Sequence, residues 1–432
     1  MTINFRIKIK SRNQSQWLCW LLIIVPFLFG TMLEMLHLPS LVKYVLDLSW
    51  LVLLITMISH KIQDPKRRGT ALTIWATVFF AYTAIGYIFL YQSPLYYLWG
   101  VRNNFRFYVA FAAFATFLEP ENVEEYFGLF DKVFWISVVV SLYQYFALGK
   151  TGDYLGGIFG IERGCNAYSN VFFVIVLIKS VVFYMERREK FQSCAMKFMA
   201  VVVVAALAEM KFFFIEAVLI LILASLFTNF SWRKLGILLG GAAVLMSGAT
   251  LLTMLFPHFG EFFSFDWFME TATSEKGYTS SGDMNRLTAL TVIDERFLKT
   301  PVERLFGFGL GNCDYSAFDF LVTPFFRRYE KWHYTWLSTA YIYLETGWIG
   351  LIFFFGFFVL AFLNAHKVEK KCTGVARSYC RVTKVMAVLC FVIAIYNVSL
   401  RTEAGYMAYF VLSLPNIVLK SVAPGKTKEL TK

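Results

Sequence analysis

Of the 432 residues, 58% are Ala, Val, Ile, Leu, Met, Phe, Trp, Tyr or Cys and only 16% are charged. Soluble domains carry roughly 45–50% apolar and about 25% charged residues, so a water-soluble enzyme, a disordered chain and a secreted disulfide scaffold are excluded. The net charge of +12 does not point to nucleic acid, because Lys and Arg fall in short clusters between apolar runs. Arg6, Lys8, Lys10 and Arg12 form one such cluster, and Lys61, Lys66, Arg67 and Arg68 another, as the positive-inside rule distributes them. The seven cysteines include no C-x-x-C pair, which leaves no metal knuckle and no evident disulfide framework.

Continuous apolar runs predict helices over 17–36, 41–59, 71–91, 104–118, 130–148, 167–184, 198–209, 212–228, 235–256, 346–364, 383–400 and 406–420. Such runs exclude a β-barrel, whose strands alternate over about ten residues. The first run is longer than a signal-peptide core and lacks a small-residue cleavage site, so it is expected to remain as the first span. The stretch 198–228 would make one helix of about 46 Å, against a hydrocarbon core of about 30 Å. Basic residues flank it on both sides (Arg187, Arg188, Lys190 and Lys197; Arg233 and Lys234), which divides it into two passes turning at Glu209-Met210-Lys211.

The result is an all-α polytopic membrane protein of about twelve transmembrane helices, with residues 1–432 as one membrane domain. Twelve passes gather 25 of the 41 Lys and Arg on one side, which predicts cytoplasmic termini in the cytoplasmic (inner) membrane. The link 119–132 on that side is acidic (Glu119, Glu121, Glu124, Glu125, Asp131), and acids weigh little in the rule. One long extracytoplasmic loop, 257–332, lies between the ninth and tenth spans. It is too long for a plain connection and reads as an ordered cap, with Trp267, Phe268 and a helical stretch over 284–299.

Candidate chemistry collects on the expected outer side. Segment 99–106 carries Arg102 and Arg106 before the fourth span, and 156–163 carries Arg163 before the sixth. Arginine suits bidentate contact with phosphate oxygens, and it also snorkels to lipid headgroups. Lys211 stands between Glu209 and Glu216 in an apolar run, where a charge faces either an ion-pair partner or a cavity. The loop holds Arg286 at the start of the helical stretch, then the glycine string Phe306-Gly307-Phe308-Gly309-Leu310-Gly311-Asn312. That string lacks a preceding strand and a following Lys-Ser/Thr, so it reads as a tight turn and not as a nucleotide loop. His333 stands where loop becomes helix, beside Arg327, Arg328 and Lys331, and suits acid/base work, phosphate binding or plain hydrogen bonding. Arg401 adds a cation near Glu403, and Glu34 and Glu403 are candidate bases. No recognisable metal-ligand spacing occurs, so a metal-independent site without cofactor is expected.

The string His333-x3-Leu337-x6-Leu344-Glu345-x-Gly347-x2-Gly350, after a long outer loop and the glycine turn, resembles the O-antigen ligase and polysaccharide polymerase superfamily. The likeness is best over about 150–365. Where ligases of that superfamily carry Asn after the His and Ser-Arg-Gly at a short-helix turn, this chain has Tyr334 and Met210-Lys211-Phe212, which favours a polymerase of O-antigen, capsule or exopolysaccharide. The resemblance implies a membrane glycosyltransferase whose substrate is an undecaprenyl-pyrophosphate-linked oligosaccharide. It implies Lys211, Arg286 and His333 as the catalytic, pyrophosphate-contacting residues, Arg163 as the arginine of a polymerase loop, and flippase and chain-length regulator proteins as partners. Arg102, Arg106 and Arg401 join them as substrate-binding cations. The competing readings are an O-antigen ligase with a lipid or protein acceptor, and a lipid-linked oligosaccharide flippase or transporter. The flippase reading is opposed by the lack of repeat symmetry. A glycosyltransferase using a polyprenyl-phosphate sugar, with its acid at Glu34, ranks behind these.

Overall fold

The computed structural model describes residues 13–63, 70–90, 92–229, 232–257 and 284–422. Each of the twelve apolar runs contains a helix. The first nine are α1 (Gln14–Ile24), α2 (Tyr44–Gln63), α3 (Ala71–Phe89), α4 (Pro94–Phe117), α5 (Pro120–Phe146), α6 (Asn166–Met185), α7 (Phe191–Leu207), α8 (Lys211–Phe227) and α9 (Trp232–Leu255). Three short helices of the insertion follow, α10 (Ala289–Arg296), α11 (Pro301–Phe306) and α12 (Pro324–Tyr329). The last three are α13 (Ser338–Glu369), α14 (Gly374–Tyr396) and α15 (Gly405–Val418). No strand occurs among the described residues. Among the described residues, seven helices (α2, α3, α5, α6, α9, α13 and α14) are long and apolar enough to cross a bilayer, so this is a multi-pass membrane protein. In α6 and α14, 89% and 78% of the most apolar stretch is buried against other helices, whereas α3 buries 22%. The two therefore form the centre of the bundle, and α3 lies at its periphery.

Several boundaries differ from the sequence expectation, each for a local reason. The first run is not one regular helix: α1 stops at Ile24, a 3-10 turn follows with Pro26 in its first turn, and a π-turn covers Gly30–Met35. Helix α4 begins at Pro94 instead of 104, so Arg102 lies within the helix and not in the loop before it, and Arg106 lies well inside the helix and not at its start. The acidic link 119–132 is mostly α5, because Pro120 sits in its first turn and Glu119 caps it reciprocally with Asn122. The helical stretch expected over 284–299 contracts to α10. The division of 198–228 does fall where the charges place it, at Glu209, whose φ of 52° reverses the chain. Trp267 and Phe268 lie outside the described residues.

Helix α13 starts at Ser338, not 346, and is broken at Gly347 (φ 63°, ψ −167°). A broken helix frees carbonyls that must find other donors. The insertion and α3 supply them: the Phe308 N–H donates to the Leu344 carbonyl (2.7 Å) and the Tyr82 hydroxyl to that of Thr346 (2.8 Å). The glycine string is indeed a tight turn, with φ of +68°, +93° and +88° at Gly307, Gly309 and Gly311. A Cβ on Gly311 would stand 1.9 Å from the Tyr96 carbonyl oxygen. Gly311→Ala is therefore expected to lower the thermal unfolding midpoint in detergent. Gly128→Ala, where an added Cβ meets nothing within 4 Å, should leave it unchanged.

Contacts gather the interhelical links at two ends. At one end Glu34 accepts from the Ile161 and Glu162 N–H groups (2.5 and 3.1 Å), and Asn166 donates to the Ala208 carbonyl (3.1 Å). There too Gln92 donates to Phe308 (3.0 Å), Ser338 to Asn397 (2.8 Å), and Arg163 lies over the Trp336 ring (5.6 Å). At the opposite end Lys420 donates to the Thr116 and Leu118 carbonyls (2.9 and 2.5 Å), and Lys197 pairs with Asp131 and Glu189 (2.7 and 2.9 Å). Arg381 joins Glu186 and Glu369 on that side.

Candidate functional site

The end of the bundle that carries the insertion brings together four of the residues singled out by sequence. Lys211 opens α8 directly after the left-handed Glu209, and its own N–H donates to the Glu209 carbonyl (2.8 Å). The N-terminal end of α8 adds the positive pole of the helix dipole at the same place. The loop after α5 closes on this turn: a Cβ on Gly152 would sit 2.7 Å from Glu209 Oε1, and Asn166 bridges Asp153 (3.1 Å) and Ala208.

Arg286 reaches this place from the insertion. Its Nε donates to the Tyr396 carbonyl (2.9 Å) and its guanidinium lies 4.6 Å from the Tyr396 ring centre. Tyr396 in turn stacks on Phe212 (3.8 Å, 3°), the neighbour of Lys211. Lys211 and Arg286 are close enough to repel each other, with Glu209 and Asp153 as the opposite charges nearby. Arg286 precedes α10 in a turn and does not lead a helix, as the sequence suggested, because helical geometry begins only after Thr288.

His333 does not start the re-entering helix. It links two 3-10 turns in a left-handed conformation (φ 52°, ψ 29°), an uncommon geometry for a side-chain-bearing residue and one that clusters at functional positions. Its ring stacks on Trp336 (3.9 Å, 12°), which also receives Arg163. The Met284 N–H donates to the Trp332 carbonyl (3.0 Å), so the segment bearing Arg286 runs beside the residue before His333.

Arg102, Arg106 and Arg401 belong to a second, buried group next to the first. Arg102 grips Asp47 through Nε (3.1 and 3.2 Å) and Nη2 (2.7 Å). Arg106 donates to Glu403 (3.1 Å) and to the Arg401 carbonyl (3.2 Å), and Glu403 also accepts from the Tyr168 hydroxyl (2.6 Å). Arg401 lies 3.8 Å from Glu345 and stacks at 3.7 Å on the Tyr341 ring. Tyr341 donates to Asp314, which also accepts from Asn103 (2.6 Å). Each of these three arginines thus has a carboxylate beside it, which makes them the framework of the site. Arg401 nevertheless keeps Nε and Nη1 without hydrogen bonds among the described residues.

The two loop carboxyls of this network respond oppositely to their surroundings. Burial raises the Asp314 carboxyl above its ordinary value, against the pull of Arg401, Tyr341, Asn103 and the Tyr315 N–H. Burial also works on Glu403, but Arg106, Lys43 and the Tyr168 hydroxyl outweigh it and hold the carboxyl at about 2. Asp47, Asn103, Tyr168, Asp314 and Tyr341 escaped the sequence reading. Asp47 was findable as an acid inside an apolar run, whereas Asp314 sits in irregular chain with no periodic signal. Beside Asp314 and Tyr341 lies a cavity of about 300 Å³.

Among the described residues, no group of three or more His, Cys, Asp and Glu side chains is placed to hold a metal ion. No family model matches the chain, and no curated protein matches it.

Proposed function

We propose that this protein is a membrane glycosyltransferase that joins undecaprenyl-pyrophosphate-linked oligosaccharide repeat units into a surface polysaccharide (O-antigen, capsule or exopolysaccharide). The observation that carries this reading is the meeting of Lys211 and Arg286, from distant parts of the chain, at the N-terminus of α8. Two neighbouring cations, offset by Glu209 and Asp153 when no ligand is bound, suit a polyanion, and a helix N-terminus favours the same ligand. In this reading all twelve apolar helices cross the inner membrane, both termini are cytoplasmic, and the insertion faces outward.

The chemistry follows from these groups. An acceptor sugar hydroxyl attacks the anomeric carbon of the donor, and the bond from that carbon to the pyrophosphate oxygen breaks. The lipid pyrophosphate leaves with the electron pair, and Lys211 and Arg286 meet its growing charge. His333, at the same rim, either takes the hydroxyl proton or holds the phosphate.

The test is a deletion strain complemented with Arg286→Ala or His333→Ala. Single repeat units should remain on the lipid carrier at the outer face while export continues. Repeats stranded on the cytoplasmic leaflet would make the protein a flippase, and full-length polymer left unattached to its acceptor would make it a ligase. For topology, cysteines introduced at 276 and 426, both outside the described residues, should react with an impermeant reagent in intact cells at 276 and not at 426. The native cysteines are buried and give little background. Labelling at 426 alone would invert the orientation and remove the outer site.

A further inference from the structure

Beside the cationic group, the insertion and the start of α13 form the walls of the cavity of about 300 Å³, which is open to the surface and lined by Asp314, Tyr315, Phe326, Thr335 and Tyr341. Tyr315 and Phe326 form a corner, with ring centres 5.1 Å apart and planes inclined at 47°. The Asp314 carboxylate is the one charged lining group, and it is held in place by Asn103 (2.6 Å), the Tyr315 N–H (2.8 Å) and the Tyr341 hydroxyl. Thr335 stands two residues beyond His333 and next to Trp336, so the cavity borders the rim where the cations meet.

The geometry points to a subsite for one pyranose ring of the glycan acceptor, with Asp314 and Thr335 holding its hydroxyls and the Tyr315–Phe326 corner its C–H face. This rests on the glycosyltransferase reading for the word acceptor. The volume is at the small end for ligand pockets and suits a single ring. Aromatic faces carry negative charge density that attracts the polarised C–H side of a sugar. Carboxylate and hydroxyl oxygens are the partners that sugar hydroxyls need. A phosphate would be repelled by Asp314, and an acyl chain would strip water from Asp314 and Thr335 without replacing their hydrogen bonds. The same carboxylate sets specificity: a neutral or amino sugar fits, and a uronic acid would bring a second carboxylate against Asp314.

The experiment uses the full-length protein in lipid nanodiscs and saturation-transfer NMR with the methyl glycosides of glucose, galactose, N-acetylglucosamine and glucuronate. At least one neutral or amino sugar should give a transfer signal, and glucuronate none. Thr335→Trp, which fills the cavity, should abolish the signal. Tyr315→Ala should also abolish it, and because Tyr315 is 55% exposed this variant leaves the buried network in place. No signal from any sugar, an equal signal from glucuronate, or a signal unchanged in both variants would each overturn the subsite. If the deletion strain without the protein still makes polymer while the sugar signal persists, the polymerase reading fails and the subsite stands. If Arg286→Ala blocks polymer and wild type gives no sugar signal, the subsite alone fails.

Discussion

Lys211→Gln and Arg286→Ala should each slow polymer formation by about 10²–10³-fold, the usual cost of removing one preorganised donor from a developing oxyanion. The amount of protein in the membrane should not change, because neither side chain belongs to the buried carboxylate–arginine network. Lys211→Arg keeps the charge at the start of α8 and should retain part of the activity, although a planar guanidinium does not reproduce a point charge. Arg286→Lys should lose more, since its guanidinium both lies over the Tyr396 ring and bonds the Tyr396 carbonyl. Polymer length on gels, normalised to membrane protein, reads the effect. Full activity of Lys211→Gln would show that the cation is dispensable and would remove the pyrophosphate role.

Glu403→Ala should destabilise the protein by about 3–5 kcal/mol, because it leaves the Arg106 guanidinium buried without its carboxylate. Arg106 is 3% exposed and its remaining acceptor is the Arg401 carbonyl, so its nearest other carboxylate is Asp47, which Arg102 already holds. A double change to Arg106→Met and Glu403→Leu should recover most of the loss, since a well-packed apolar pair avoids the desolvation cost. The acid dependence has a definite sign. Glu403 titrates at about 2 in the folded protein against 4.5 ordinarily, so its contribution is fully present above 4.5 and is lost as pH falls toward 2. Thermal unfolding in detergent across that window should show a drop in wild type that is absent in Glu403→Gln. Parallel curves for the two proteins would rule out Glu403 as the source.

The helices were legible because long continuous apolar runs in lipid satisfy their backbone only as helices, and clusters of Lys and Arg marked some of their ends. The break at Glu209 could be read from charge parity alone. The start of α4 could not, because Arg102 and Arg106 look like loop residues until Asp47 and Glu403 arrive from helices α2 and α14–α15 to neutralise them. The cations of the candidate site were visible singly as charges in apolar surroundings. Their grouping was not, since Lys211, Arg286 and His333 are linked through Tyr396, Phe212 and the Met284–Trp332 contact, from segments far apart in the chain. The left-handed His333 had no signal in its neighbours.

The break at Gly347 also bears on how the chain is built. Residues 305–311 leave the ribosome before α13, and they end up seated in the notch of that helix, with Gly347 pressed against the Leu305 carbonyl. The half of α13 before the break is only about 13 Å long by helical rise, too short to span a bilayer alone. Its bent shape is completed by the glycine turn seated against the break. Because that turn is synthesised first, the expected order of folding is the turn and then the short half of α13 onto it.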